Sequence, residues 1–429
     1  MKVLFTTLGA LLLLFNAEAQ QQKFDNFSAK FVSGYRSLNI PQLELSYVAG
    51  LQHIGSADHV NKEQAFFNTI KAQIPAYKRA ELSTAQKLDY DLIKYETALN
   101  LERLALEKQW LKSPPKEIPA GGLLTIPNGK AWYTYLLKRW VGDEVTPDQI
   151  YAFGLTEVDR VKSHIDAIRK QTGMSEDDFY KHLTDPSFFI TDEAAIKQAF
   201  EKDKVIINAN LHNLFNQTDI TDLKIAKGTN VALVQTPGYY TDNTFYYNLT
   251  DKPYNKRNVD WLLIHEGIPG HHYQNSVNTL KPTTVQQLFF YYGFAEGWGA
   301  YAEELGKDIG LYQTPYDELG KWQWDIVRSV RVPLDVGLNY YGWTDEQALA
   351  FWKKNIRGQD DIAIREINRI RRWPAQVVTY KYGALQIMHW KEELQKKQGD
   401  KFNIKDFHTR ALQHGSLPLF IIKDFVLKG

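Results

Sequence analysis

The chain contains no cysteine, so neither a disulfide framework nor a lipid attached through a cysteine thioether is available to it. A chain of 429 residues manages without such staples, because a domain of that size buries enough apolar surface to be held by packing alone. Also missing is an apolar run long enough to cross a bilayer. The N-terminal stretch from Val3 to Phe15 falls short of the roughly 20 apolar residues that a span needs. It follows Lys2 and is followed by Ala17-Glu18-Ala19 before Gln20, the order of an n-region, an h-region and a small-residue cleavage site. Residues 1–19 are therefore expected to be a signal peptide, and the mature protein to be exported, periplasmic or extracellular, with no membrane attachment after cleavage. Surplus charge is lacking too: 51 Lys and Arg oppose 50 Asp and Glu, for a net charge of +1. That balance argues against nucleic acid as a partner. No internal repeat or low-complexity tract is present.

What is present is helical periodicity. The stretches 62–75, 85–111, 147–171, 192–214, 258–268, 285–306, 315–330, 344–356, 376–397 and 405–413 carry apolar residues at three- and four-residue intervals with charges between them. Strand character is confined to 230–248, where Val231, Leu233 and Val234, then Phe245, Tyr246 and Tyr247, flank a Pro-Gly turn. The Pro- and Gly-rich segment 113–122 is a loop and a boundary. It separates an N-terminal helical region, 20–122, from a catalytic region, 123–429, the two forming one continuous fold. The expectation is a mainly α protein with a small β-sheet beside the helix that carries the chemistry.

That chemistry is concentrated in His-Glu-Gly-Ile-Pro-Gly-His-His, residues 265–272. In the familiar His-Glu-x-x-His pattern, ligands four apart lie about 40° apart on a helix and share one face. Here the residue four after His265 is Pro269. On an unbroken helix His271 would stand about 120° off that face and roughly 9 Å up the axis, and His272 roughly 10.5 Å up it. Neither can chelate with His265 in that geometry. Pro269 removes a backbone donor and Gly270 tolerates unusual angles, so the helix must kink, bulge or break between the ligands. A two-residue insertion then brings His271 to the second-ligand place, with His272 as the competing choice. A catalytic zinc keeps three protein ligands, and the segment 294–304 supplies the third as Glu296. Glu303, seven residues on, shares its face and is placed to orient a ligand histidine. Glu304 points elsewhere, to solvent. Two His and one Glu suit a single zinc ion best.

The blocks HEGIPGHHYQ (265–274) and EGWGAYAEELG (296–306) resemble the signatures of a bacterial family known as domain of unknown function 885, whose members look like zinc metallopeptidases of the gluzincin type. TPGYYTDNTFYYNLTD (236–251), RVPLDVGLNYYGWTDEQA (331–348), WPAQVVTYKYG (373–383) and HGSLPL (414–419) follow the family's order. The resemblance is close over about 230–429 and loose before it. It implies a helical zincin-like metallopeptidase fold and favours His271 over His272 as ligand. Two departures stand out: Asn339 where the family has His, and Ala375 where it has Gly in Pro-Gly-Gln.

Each remaining residue has a role beside a structural alternative. Glu266 is the candidate general base, accepting a proton from metal-bound water as that water attacks a carbonyl and passing it to the leaving amine. Tyr380 or Tyr382 is the candidate phenol donor to the oxyanion. His272, Tyr246, Tyr247 and Arg331 are candidate substrate contacts, with Tyr246 and Tyr247 on a strand that could pair with an extended peptide. Arg331 could equally form an ion pair with Asp335, one helical turn away. These assignments describe a zinc-dependent peptidase acting on short peptides, with an amidase of non-peptide substrates, or a silent binding protein keeping the fold, as the competing functions.

Overall fold

A computed structural model describes residues 2–234, 236–277 and 280–428, with side chains from Gln20 onward. Met1 and the side chains of 2–19, on which the expected leader falls, lie outside that description. The chain is mainly helical with two small sheets, and no helix among the described residues is long and apolar enough to cross a membrane. It divides into two compact units, 1–135 with 281–290, and 136–280 with 291–429.

The first unit is built on α1 (Lys2–Ser37), α2 (Ala57–Gln73) and α3 (Thr84–Trp110). Ser83 and Gln86 close a reciprocal capping box that starts α3. Arg103 on α3 is half-buried between Glu107, at 2.6 Å, and Glu63 of α2, so the two buried carboxylates share one cation. The segment 281–290 joins this unit through Thr283, whose hydroxyl donates to Asp89 at 2.5 Å, and through Phe289, edge-on to Tyr35 at 5.1 Å. The expected helix over 285–306 is therefore interrupted. Only Gln286–Leu288 forms a turn before the chain re-enters the second unit at Tyr291.

In the second unit α4 (Pro147–Thr172) opens with Thr146 and Gln149 as a capping box and Pro147 in its first turn. Strand β1 (Phe189–Ile190), α5 (Glu193–Asn210), then β2 (Lys224–Lys227), β3 (Gly238–Thr241), β4 (Thr244–Tyr247) and β5 (Tyr254–Asn255) follow. β1 pairs with β5, and the larger sheet has the order β2-β4-β3. Two expectations fail here. Val231–Leu233 is a single helical turn whose N-terminus is capped by the Asn230 side chain, and Val231 is 85% exposed, so its apolar residues face solvent instead of a sheet. β4 is central: its backbone pairs with β2 in parallel and β3 antiparallel, with Phe245 between Ile225 and Tyr240. It has no free edge for a peptide. Tyr247 is buried against Phe200 at 5.4 Å, and Tyr246 stacks on Tyr239 at 4.9 Å, which makes both sheet-packing residues.

The helices that hold the site are α6 (Val259–Glu266), α7 (His271–Ser276), α8 (Tyr292–Ala302), α9 (Pro315–Val336), α10 (Ala363–Arg372) and α11 (Val378–Gln398). α9 packs on α4 through Ile326, Val327, Val330 and Leu334 against Val158 and Val161. α8 and α11 meet backbone to backbone: a Cβ on Gly297 would lie 2.5 Å from Gly383 Cα, and one on Gly383 would lie 2.0 Å from Gly293 O. No larger residue fits that seam. Lys381 turns to the other side of α11, where its Nζ sits 2.8 Å from Glu157 and 2.9 Å from Asp325. The buried charges thus tie α4, α9 and α11 together.

Asp335 does not pair with Arg331. It accepts the Ala375 N–H on both carboxylate oxygens at 3.0 Å. Ala375 sits at φ 69, a left-handed conformation that costs an L-residue with a Cβ roughly 1–2 kcal/mol. Ala375→Gly is expected to raise stability by about 1 kcal/mol. A urea midpoint that stays or falls in this variant would show that the alanine methyl's packing outweighs the strain.

Candidate metal centre

The site begins with a helix whose middle is four consecutive apolar residues. Trp261, Leu262, Leu263 and Ile264 of α6 are all buried, and Gly238 of β3 comes close enough that a Cβ there would touch Leu262 Cδ2 at 3.4 Å. α6 stops at Glu266, and four residues in turn conformation, 267–270, separate it from α7, which starts at His271. The break is held by contacts that only these residue types permit. A Cβ on Gly270 would fall 2.0 Å from the His265 carbonyl oxygen, and the Trp298 indole N–H donates to the Pro269 carbonyl at 2.8 Å. The helix therefore breaks instead of bulging, and the two histidines meet at the junction. Their ring centroids are 4.8 Å apart at 81°.

Glu296 of α8 points into the same space. Its Oε2 is 3.4 Å from His271 Nε2 and 3.8 Å from His265 Nε2, and one ligand atom from each residue lies within 4.8 Å of the others. Gly299, one turn after Glu296, makes room for the rings: a Cβ there would be 2.8 Å from His265 Cε1 and 3.1 Å from His271 Cε1. Behind His265, Nδ1 lies 2.8 Å from Glu303 Oε1, which also accepts from Arg328 at 2.5 Å. A proton on Nδ1 satisfies Glu303 and aims Nε2 at Glu296.

The field at this junction favours positive charge. Burial and Arg328 both act to lower the His265 pKa, yet hydrogen bonds to Glu296 and Glu303 outweigh them and raise it to about 9. Burial resists ionisation of Glu296, but His265 and His271 hold its carboxyl well below the usual range. Two imidazoles and an ionised carboxylate converging on one point form a donor set that fits zinc.

His272 is elsewhere. It is fully buried, with Nε2 2.7 Å from the Thr221 carbonyl and Nδ1 3.2 Å from the Tyr240 hydroxyl. Burial lowers its pKa, which keeps the ring neutral, so that Nε2–H donates and Nδ1 accepts. It pins α7 to β3 and touches neither the cluster nor open space. Tyr382 also points away, its hydroxyl donating to Asp143 at 2.9 Å. Tyr380 is brought near: its ring is 6.3 Å from that of His265 and nearly parallel, Arg328 lies over it at 5.6 Å, and its hydroxyl accepts from Gln376 at 3.3 Å. Burial, then the Glu296 charge, raise the phenol pKa, so it remains a proton donor. Arg331 is buried and pairs with Glu366 at 2.7 Å. Glu304, expected in solvent, is engaged by Lys321. Glu266 is half-buried at the last position of α6, next to His265.

Arg328, Gly299 and Tyr240 were not singled out from the sequence. Arg328 carried one usable signal: it is a charge set in sequence between Ile326-Val327 and Val330, and a charge in a buried helix survives only when paired.

A family model described as bacterial protein of unknown function, DUF885, matches residues 103–426, reaching well upstream of the closely resembling stretch. Among solved structures the chain is similar to a candidate lipoprotein from Colwellia psychrerythraea, with 23% identity and a TM-score of 0.66 over 96% of this chain and 75% of that one. It is also similar to a candidate lipoprotein of unknown function from Shewanella oneidensis, with 21% identity and a TM-score of 0.57 over 88% and 73%. At those identities the likeness is one of fold. No curated protein matches the chain.

His271→Ala and Glu296→Ala are each expected to empty the centre of divalent metal. His272→Ala should keep the metal and lose about 1–3 kcal/mol of stability, from the two hydrogen bonds made by a fully buried ring. Plasma mass spectrometry beside urea unfolding separates the cases, and metal lost from the His272 variant alone would reassign the ligand.

Proposed function

The chain belongs to the DUF885 family of bacterial proteins of unknown function, and we propose that it is a zinc-dependent peptidase with a zincin-like catalytic body, acting on short peptides outside the cytoplasm. The observation that carries this reading is the convergence of His265, His271 and Glu296, with Glu303 orienting His265 from behind. A zinc ion held by those three side chains would supply the Lewis acid that polarises a carbonyl and lowers the pKa of water.

The chain's own residues supply the rest. Glu266 follows a ligand directly on the last turn of α6 and is only half-buried, so its carboxylate can take a proton from attacking water and hand it to a leaving amine. Tyr380, kept protonated by burial and by Glu296, is the donor for the oxygen on which charge develops. Arg328 and Glu303 hold the imidazole of His265 in one tautomer. Export is supported by the leader-like order of residues 1–19 and by the naming of both structural neighbours as candidate lipoproteins. This chain has no cysteine to carry a lipid.

Glu266→Gln should reduce peptide hydrolysis by about 10²–10⁴-fold with metal content unchanged. Tyr380→Phe should lower kcat by about 10²–10³-fold, and Tyr382→Phe should leave it near the parent value. Digestion of a defined peptide library, read by mass spectrometry, measures all three. Normal turnover in Glu266→Gln would overturn the base assignment, and wild-type protein that cleaves acyl amides but no peptide would make it an amidase.

A further inference from the structure

A second cavity, of about 760 Å³, opens in the same unit as the metal centre but is lined by none of the metal-centre residues. Its size falls in the range of roughly 300–1,000 Å³ usual for small-molecule sites. Tyr180, Phe189, Pro253 and Trp324 give it broad apolar walls. Four cationic residues line it, against one acid, Asp361. Three of them have carboxylate partners: Lys252 with Asp361 at 2.7 Å, Arg357 with Glu176 at 3.2 Å, and Arg365 with Glu366 at 3.1 Å.

Arg257 has none among the described residues. It is only 5% exposed, lies over the Phe188 ring at 4.9 Å, and donates from Nε to Gln323 at 3.1 Å and from one terminal nitrogen to the Leu183 carbonyl at 3.3 Å. Its other terminal nitrogen is buried without a partner. Burial with no opposing charge lowers its pKa to about 10, which still leaves it cationic at neutral pH. The hydroxyl of Tyr254, a second lining residue, is likewise buried without a partner. A buried cation with no counterion and a buried hydroxyl with no partner are both costly to leave as they stand. Both residues line the cavity, and each keeps an unused donor.

We propose that this cavity binds a small organic monoanion, a carboxylate on a flat apolar body, with Arg257 as its counterion and Tyr254 as a second donor. One unbalanced guanidinium sets the charge at one, because a second negative charge would itself be buried unpaired. The planar guanidinium suits a carboxylate, and the aromatic and proline walls take the apolar part. The proposal is independent of the metal centre. Its ligand could be a free acid or the C-terminus of a peptide, which share this chemistry.

Calorimetric titration with phenylacetate, and with a short peptide ending in phenylalanine as either the free acid or the amide, tests it. Run in the His271→Ala background as well as in wild type, it excludes carboxylates bound at the metal. One-site binding in both backgrounds is expected, with the neutral analogues phenylacetamide and peptide amide weaker by about tenfold or more and Arg257→Met weaker by about 10–100-fold. Tyr254→Phe, which keeps the ring and its packing, should weaken binding several-fold and decides the matter if Arg257→Met does not fold. Tighter binding of the peptide acid than of phenylacetate identifies a peptide tail; the reverse identifies a free acid. No binding of any acid, equal binding of acid and amide, or binding indifferent to Arg257→Met and Tyr254→Phe would overturn the proposal.

Discussion

Glu303 is buried, and its Oε1 faces both the Nδ1 of His265 and the guanidinium of Arg328. A carboxylate in that position would be costly alone, but between two donors its charge is compensated and its lone pairs are used. The consequence reaches outward in two directions. Towards the site, the imidazole has one tautomer and one orientation, with Nε2 facing Glu296. Towards the core, Arg328 is held on α9 within 5.5 Å of Trp261 and 5.6 Å of Tyr380. A single buried ion pair thus links α6, α9, α11 and the turn that ends α8.

That arrangement requires close helix approach, and glycine provides it. On α8, Gly293 and Gly297 lie against Gly383 of α11, while Gly299 faces the two histidine rings. Any side chain in the seam would push α8 from α11, and one at Gly299 would displace the imidazoles. Gly270 does the same for the turn between α6 and α7. The spacing of glycines in 293–299 is therefore a packing code for the site. Hydrophobic periodicity does not carry it, because these positions have no side chain to contribute.

The helical character and the residue types of the candidate site were legible in the sequence, since both rest on local pattern. The interior strand position of Thr244–Tyr247 was not, because an aromatic run reads the same at an edge and in the middle of a sheet, and only the partners Lys224–Lys227 and Gly238–Thr241 distinguish them. Val231 and Val234 misled for a related reason: apolar side chains suggest burial, yet Asn230 caps a turn that leaves them outside. Arg331 and Asp335 are one turn apart, but each found a better partner from another element, Glu366 and the Ala375 N–H.

The residues alone dictate that no unbroken helix can bring His265 and a later histidine together, because helical geometry and the Pro269-Gly270 pair forbid it locally. The local pattern favoured His271 over His272 and left Tyr380 beside Tyr382. Contacts far apart in the chain place them differently: Thr221 and Tyr240 hold His272, Asp143 takes Tyr382, and Glu296 stands beside His271. Neighbours in sequence point different ways on a helix, and only the elements packed around them decide which one is satisfied elsewhere and which is left to face the site.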